Sequence, residues 1–292
     1  MLLIPHTSPV AEKVGEEKTV ELLAKAGFDG LDYSAFHLRG DDSPLLKDNY
    51  KEHCLNLKRI AEENGTRFVQ AHAPFQYMDD TAEYFNNFGK RVIRAMESAS
   101  ILGAEIIVVH PIQNLVYSEN KYKLYDLNME YYNFLIPYAE KFGIKIACEN
   151  MFQCDRYGIC DSVCASPDEF NKYVDDLNSP WITACLDLGH CGVCGRTAQD
   201  MIRAMGGERI TALHVHDNNG VTDLHQLPGT VSMEWEEICK ALAEIDYKGN
   251  FTYETDNFIR YYGEDFLPTA LKFMHDCGRY YIAKIEKYKN MK

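Results

Sequence analysis

Gly103-Ala104-Glu105-Ile106-Ile107-Val108-Val109-His110 and Gly143-Ile144-Lys145-Ile146-Ala147-Cys148-Glu149 follow one plan. In each, a glycine stands where a left-handed residue would close a helix, a short apolar run follows, and an ionisable side chain ends the run. Runs of this kind, lacking polar alternation, predict strands buried on both faces, as in a parallel sheet. Working outward, the plan recurs along the chain. Strands are predicted at Leu2–His6, Gly30–Tyr33, Arg67–His72, Ile106–His110, Lys145–Glu149, Thr183–Asp187, Ile210–His214 and Asn250–Glu254. Helical periodicity fills the intervals at Glu17–Ala26, Tyr50–Asn64, Ala82–Leu102, Tyr122–Phe142, Pro167–Leu177, Ala198–Met205, Trp235–Ile245 and Glu264–Lys287. Gly27 and Gly65 stand where Gly103 and Gly143 do, and Ser166-Pro167-Asp168-Glu169 reads as a capping box that opens a helix.

Eight strand–helix units predict an α/β fold: a parallel eight-stranded (β/α)8 TIM barrel surrounded by helices, with residues 1–292 forming a single domain. A doubly wound open sheet would be expected to carry a glycine-rich phosphate loop after an early strand. No G-x-G-x-x-G or Walker-type sequence occurs.

Composition excludes several classes of function. The chain is 46% hydrophobic and 25% charged, as expected of a soluble globular protein. Its start, MLLIPHTSPV, lacks the pattern of a secretory signal, and no apolar run reaches membrane-spanning length, so a cytoplasmic location is expected. Lys and Arg number 30 against 44 Asp and Glu, a net charge of −14, which argues against a nucleic-acid partner. Of ten cysteines, seven fall between Cys148 and Cys194. Cys191 and Cys194 form one C-x-x-C without a matching pair, so reduced thiols buried as small hydrophobes are expected in place of a second metal site.

In a barrel, side chains at the carboxyl ends of the strands face one mouth. Nine ionisable residues fall there: His72, His110, Glu149, Asp187, His190, His214, Asp223, His225 and Glu254. Glu149, Asp187, His214 and Glu254 are the strongest set. Mixed carboxylate and imidazole donors suit a divalent Mn, Mg, Co or Zn ion, and carboxylates gathered at one mouth repel unless a cation is present. His6 is expected either to line this pocket or to cap a loop. His216 is assigned a structural or supporting role, because Asp217-Asn218-Asn219-Gly220 reads as the end of the strand. His37, His53 and His275 have no partner at useful spacing and are expected at the surface. Tyr33, Phe36, Phe75, Tyr77, Phe152, Tyr157 and Phe258 are candidates for an apolar pocket wall, the alternative being ordinary packing. Tyr280, Tyr281 and Tyr288 are expected to cover the barrel or to form a subunit contact in a homo-oligomer.

The motifs H-A-P, V-H-P, C-E-N, L-D-L-G-H, H-V-H-D, D-L-H-Q-L-P-G and Y-E-T, in this order, resemble the xylose isomerase-like TIM-barrel superfamily. That superfamily holds sugar-phosphate isomerases and epimerases, inosose dehydratase and endonuclease IV (AP endonuclease family 2). The resemblance implies a metal-dependent isomerase or epimerase acting on a small sugar, sugar phosphate or hydroxy-carbonyl compound. Glu149, Asp187, His214 and Glu254 match the metal ligands, Glu149 and Glu254 the acid/base pair, and His190 a histidine that contacts a substrate oxygen. His72, His110, Asp223 and His225 match positions that line the pocket or hold additional metals. The chain departs from ketose 3-epimerases where they carry an Arg after the seventh-strand histidine, and where Asp155 replaces a second Glu. Arg156 is expected to meet a substrate phosphate or carboxylate, or else to pair with Asp155. Two alternatives stay open: an endonuclease IV-like zinc phosphodiesterase using all nine residues, and a dehydratase of the inosose or dehydroshikimate type.

Overall fold

The computed structural model describes residues 1–75 and 87–291. Tyr77, most of the loop Phe75–Thr81 and the start of the helix expected from Ala82 lie outside them.

Eight parallel strands form the barrel: β1 (Leu3–Pro5), β2 (Leu31–Ser34), β3 (Phe68–His72), β4 (Ile106–Val109), β5 (Lys145–Glu149), β8 (Ile182–Asp187), β9 (Ile210–His214) and β10 (Phe251–Tyr253). Strands β6 (Phe152–Asp155) and β7 (Gly158–Asp161) form an antiparallel hairpin in the loop after β5, which the sequence reading did not anticipate. Six strands pair in the order β2-β3-β4-β5-β8-β9, and β1 pairs with β10. Single parallel bridges, His6 to Asp32 and Val215 to Tyr253, join that pair to both edges of the six-stranded sheet and close the ring. Each barrel strand lies within two residues of its expected position. Gly27, Gly65, Gly103 and Gly143 all take a left-handed φ at the ends of their helices, Gly65 one residue beyond the capping Asn64.

The strand pleat aims the site. Side chains two apart share a face, and the completely buried Val108, Ala147, Cys185 and Ala212 pack together as an inner cluster apart from the main core. Two residues further along the same strands stand His110, Glu149, Asp187 and His214, directed toward the mouth. Around the opposite arc the interior is polar. Gln70 donates to Asp32 at 2.6 Å and Thr252 to Gln70 at 3.4 Å, beneath His72 and Glu254. The other strand faces pack against the helices through residues such as Leu3, Phe68, Ile107, Ile146 and Phe251.

One expectation is corrected. Ser166 does open the helix Pro167–Leu177, but its side chain makes no capping bond, and Glu169 instead accepts from the Tyr117 hydroxyl at 2.6 Å. Tyr281 and Tyr288 are spent within the chain, Tyr281 packed on Trp235 and Tyr288 bonded to Glu236, so of the three tyrosines Tyr280 is the exposed one. No helix among the described residues is long and apolar enough to cross a membrane.

Candidate metal centre

Because parallel strands end on one side, Glu149, Asp187 and His214, the last residues of β5, β8 and β9, meet Glu254 just past β10. All four are buried, and one donor atom from each lies within 4.8 Å of the others. His214 Nδ1 stands 3.0 Å from Glu149 Oε1, 2.9 Å from Glu254 Oε2 and 3.9 Å from Asp187 Oδ2. His110 Nε2 reaches the other Glu149 oxygen at 2.9 Å, with His72 Nε2 at 3.6 Å.

The electrostatics follow from this crowding. Burial alone would push the Glu149 and Glu254 carboxyls up, but the His214 imidazole holds both well below the usual carboxylate range. His110 adds to this at Glu149 and His6 at Glu254. Burial would lower His214, yet Cys185, Glu254 and Glu149 together hold it well above its ordinary value. Despite those close imidazoles, neither Glu149 Oε2 nor Glu254 Oε2 receives a well-directed hydrogen bond, and His72 Nε2 and His214 Nε2 are buried with no hydrogen-bond partner. Buried polar atoms are rarely left so, because each costs its full desolvation. Three carboxylates, an imidazole and these unpartnered atoms fit a divalent cation.

A second group lies alongside. Asp187 Oδ1 accepts from the His190 backbone N–H at 2.6 Å and so caps the short helix Leu188–Val193, which sets His190 facing the mouth. His190 Nδ1 lies 2.7 Å from the Asn150 carbonyl, and His225 Nδ1 lies 3.0 Å from the Glu254 carbonyl. Both rings thus direct Nε2 toward Asp223, at 3.7 and 2.7 Å. His225 holds a left-handed φ of 45°, a strained conformation for a residue with a Cβ and one that clusters at functional positions. Burial would lower His190, but Asp187 and Asp223 hold it well above its ordinary value, and against burial the Asp223 bond raises His225 to about 10.

His216 completes this group; its bonds to Asp187 agree with the supporting role expected of it, but the chain does not turn away before it as expected. Although β9 ends at His214, the chain stays extended: Val215 bridges to Tyr253, and Asp217 pairs with Gln226. His214 and His216 therefore share a face. His216 Nε2 lies 3.1 and 3.2 Å from the two Asp187 oxygens and 3.6 Å from Asp223 Oδ1, and its ring stacks on His225 at 4.2 Å. A Cβ on Gly189 would come within 1.9 Å of the His216 ring, which accounts for the glycine in L-D-L-G-H. The readable signal was the H-x-H spacing, outvoted by the turn residues after it. Buried Asp217 anchors the loop that carries Asp223 and His225 by accepting from the backbone of Gly229, Val231 and Met233 and from the Trp235 indole.

The remaining candidates divide. His6 lines the pocket, 3.8 Å from Glu254 and 3.7 Å from Asp32. Phe36 lies edge-on to His72, Phe75 stacks on His110 and Phe152 packs on His190, so these three form the wall. Tyr33 is buried and bonded to Glu16, Phe258 packs against Tyr262 and Phe273, and Tyr157 is exposed, so none of them does. Arg156, expected at the substrate or on Asp155, sits on the turn of the β6–β7 hairpin with its guanidinium over Tyr157, while Asp155 accepts from the Tyr157 N–H. The loop after β5 folds as a hairpin, with Arg156 exposed at its turn. His37 and His53 are not idle surface residues, since both engage Glu16, and His275 packs edge-on against Phe28. All ten cysteines are free, and Cys191 Sγ donates to the Asp187 carbonyl at 3.1 Å.

The family profile described as a xylose isomerase-like TIM barrel matches residues 20–277. The chain is 30% identical over 210 residues to the uncharacterized protein MJ1311 of Methanocaldococcus jannaschii, covering 69% of this chain and 70% of that protein. It is 24% identical over 245 residues to a D-psicose 3-epimerase of Enterocloster bolteae, covering 80% and 74%. Among solved structures, a D-tagatose 3-epimerase-like protein superposes with a TM-score of 0.77 at 21% identity, covering 98% of this chain and 99% of that one.

Proposed function

The chain belongs to the xylose isomerase-like TIM-barrel family, and on that premise we propose that it is a divalent-metal-dependent isomerase or epimerase, one barrel domain over residues 1–292. Its substrate is a small sugar, sugar phosphate or hydroxy-carbonyl compound, and the reaction moves a proton α to a carbonyl. One observation carries the reading: Glu149 and Glu254 approach the same His214 nitrogen at 3.0 and 2.9 Å, from strands β5 and β10. Two carboxylates facing one centre are what proton removal and return require. The epimerase names of two similar proteins agree with it.

Glu149, Asp187, His214 and Glu254 would hold the ion, which when bound polarises the substrate carbonyl and lowers the acidity barrier at the neighbouring carbon. One of Glu149 and Glu254 accepts the α proton and the other returns one. Both are held well below the usual carboxylate range, so either is ionised and ready to act as base, and the one that returns a proton must first take it up from solvent or from a substrate hydroxyl. His190, with Nδ1 fixed on the Asn150 carbonyl, offers Nε2 to a substrate oxygen. Phe36, Phe75 and Phe152 exclude water from the reacting carbon. His72 and His110 keep Glu149 in place, and Asp223 and His225 line the pocket or hold an additional ion.

Turnover of ketoses and ketose phosphates by the metal-loaded protein, compared with Glu149→Gln and Glu254→Gln, tests the proposal. Loss of activity in both variants is expected, and most activity surviving in both would overturn it. The nitrogen-rich group around Asp223 supports a second reading, a zinc phosphodiesterase, for which cleavage of an abasic-site duplex is the test.

A further inference from the structure

Beside the centre lies a hollow of about 680 Å³ that the reaction described above does not use. The loops after β1 and β2 line it with Ser8, Glu16, Phe36, His37 and Arg39. Phe36 belongs to both spaces, since it also lies 4.8 Å from the His72 ring. Arg39 is the notable group. Its guanidinium lies 4.9 Å above the Phe75 ring, which in turn stacks on His110 at 4.8 Å, and His110 touches Glu149. Two ring contacts thus separate this cation from the acid/base residues. None of the ion pairs among the described residues engages it, whereas Arg59, Arg91, Arg196, Arg203, Arg209 and Arg279 all meet carboxylates.

The backbone that presents Arg39 is pinned. Arg91 donates to the carbonyls of Leu38 and Gly40, on either side of it, at 2.6 and 2.8 Å. Two residues earlier, His37 is held between the Tyr33 hydroxyl at 3.0 Å and Ser43 at 2.7 Å. Of the carboxylates nearby, Glu16 is spent on Tyr33 and His53, and Glu12 also borders a neighbouring hollow beside Lys13 and Arg260. A guanidinium with no ion-pair partner among the described residues, on a braced loop two ring contacts from the centre, has the donor geometry that phosphate and carboxylate oxygens match.

We propose that this hollow is an anion subsite in which Arg39 receives a phosphate or carboxylate at the far end of the substrate. The proposal rests on the isomerase reading of the centre and narrows its substrates to anionic sugars.

The test is calorimetric binding to the full-length, manganese-loaded protein at constant ionic strength, with turnover followed in parallel. The probes are D-fructose, its terminal phosphate ester and D-fructuronate. Binding of one anion about tenfold or more tighter than fructose is expected, equivalent to ~1.4 kcal/mol. Arg39→Ala should bring that anion down to the affinity of fructose, and Arg39→Lys should keep part of the gap. Arg67→Ala removes the same charge at the opposite end of the barrel and should keep all of it. Whichever anion gains identifies the phosphate or the carboxylate as the group received. The subsite is overturned by no anionic advantage in the unaltered protein, by one that survives Arg39→Ala, or by one that Arg67→Ala reduces equally. Turnover of fructose without an anionic advantage removes the subsite alone. Arg39-dependent anion binding with no turnover of any probe removes the isomerase reading alone.

Discussion

On one side of the mouth three carboxylates surround one imidazole; on the other, three imidazoles surround one carboxylate. Glu149, Asp187 and Glu254 around His214 make an oxygen-rich set of the kind that Mg and Mn favour. His190, His216 and His225 around Asp223 make a nitrogen-rich set closer to zinc's preference. Asp187 belongs to the first and bonds His216 of the second, and the Glu254 carbonyl bonds His225, so the two adjoin. Donor composition, more than position on a shared rim, therefore separates what each half can do. In the proposed reaction the oxygen-rich half also supplies the proton carriers, and the nitrogen-rich half supplies orientation.

The sharpest way to break this division is by substitution. Glu149→Gln or Glu254→Gln should lower turnover by ~10³-fold, within the range that general acid–base groups contribute, whereas Asp223→Asn should cost far less. Steady-state rates at saturating substrate check both, and a larger loss in Asp223→Asn would reverse the assignment. Metal content comes next. Elemental analysis of Asp223→Asn should show the second group's ion weakened by ~10-fold or more while the first group's ion is retained. Equal loss of both ions would mean a single coupled centre.

Acidity separates the halves further. His190 and His225 are both held above their ordinary values, so an ion entering the second group must displace about two protons, against about one from His214 in the first. Affinity of the second group should therefore fall more steeply as pH drops, because protons compete for the same nitrogens. Calorimetry in buffers of different ionisation heat counts the protons released. The smallest effect expected is on stability. Gly189→Ala drives a methyl into the His216 ring and should cost ~1–3 kcal/mol, read as a lower Tm. An unchanged Tm would mean that His216 is free to move.

Much of this was legible in the chain. Short apolar runs alternating with helical periods located every barrel strand, because a parallel strand buried on both faces has little freedom of composition. Glu149, Asp187, His214 and Glu254 were equally plain, each ending its run. What escaped depended on contacts distant in sequence. His216 followed a strand whose extension is enforced by Tyr253 and Gln226, neither of them its neighbour in the chain. The hairpin with Arg156 at its turn has a polar, cysteine-rich sequence without alternation, and that turn is set by local bonding of Asp155. Arg39, without an ion pair among the described residues, could not be told from any other surface arginine until the bracing of its backbone by Arg91 was visible.

The pairing of β1 with β10 has a kinetic consequence. Leu3 meets Phe251 across nearly the whole chain, the kind of contact that costs the most loop-closure entropy and forms late in folding. Glu254 follows directly on that last strand, so the fourth carboxylate-or-imidazole donor arrives only when the two ends of the polypeptide meet. In refolding, tight metal uptake should then lag behind the recovery of helical signal. A nascent chain would hold three of the four donors and yet be unable to begin chemistry before its barrel is shut.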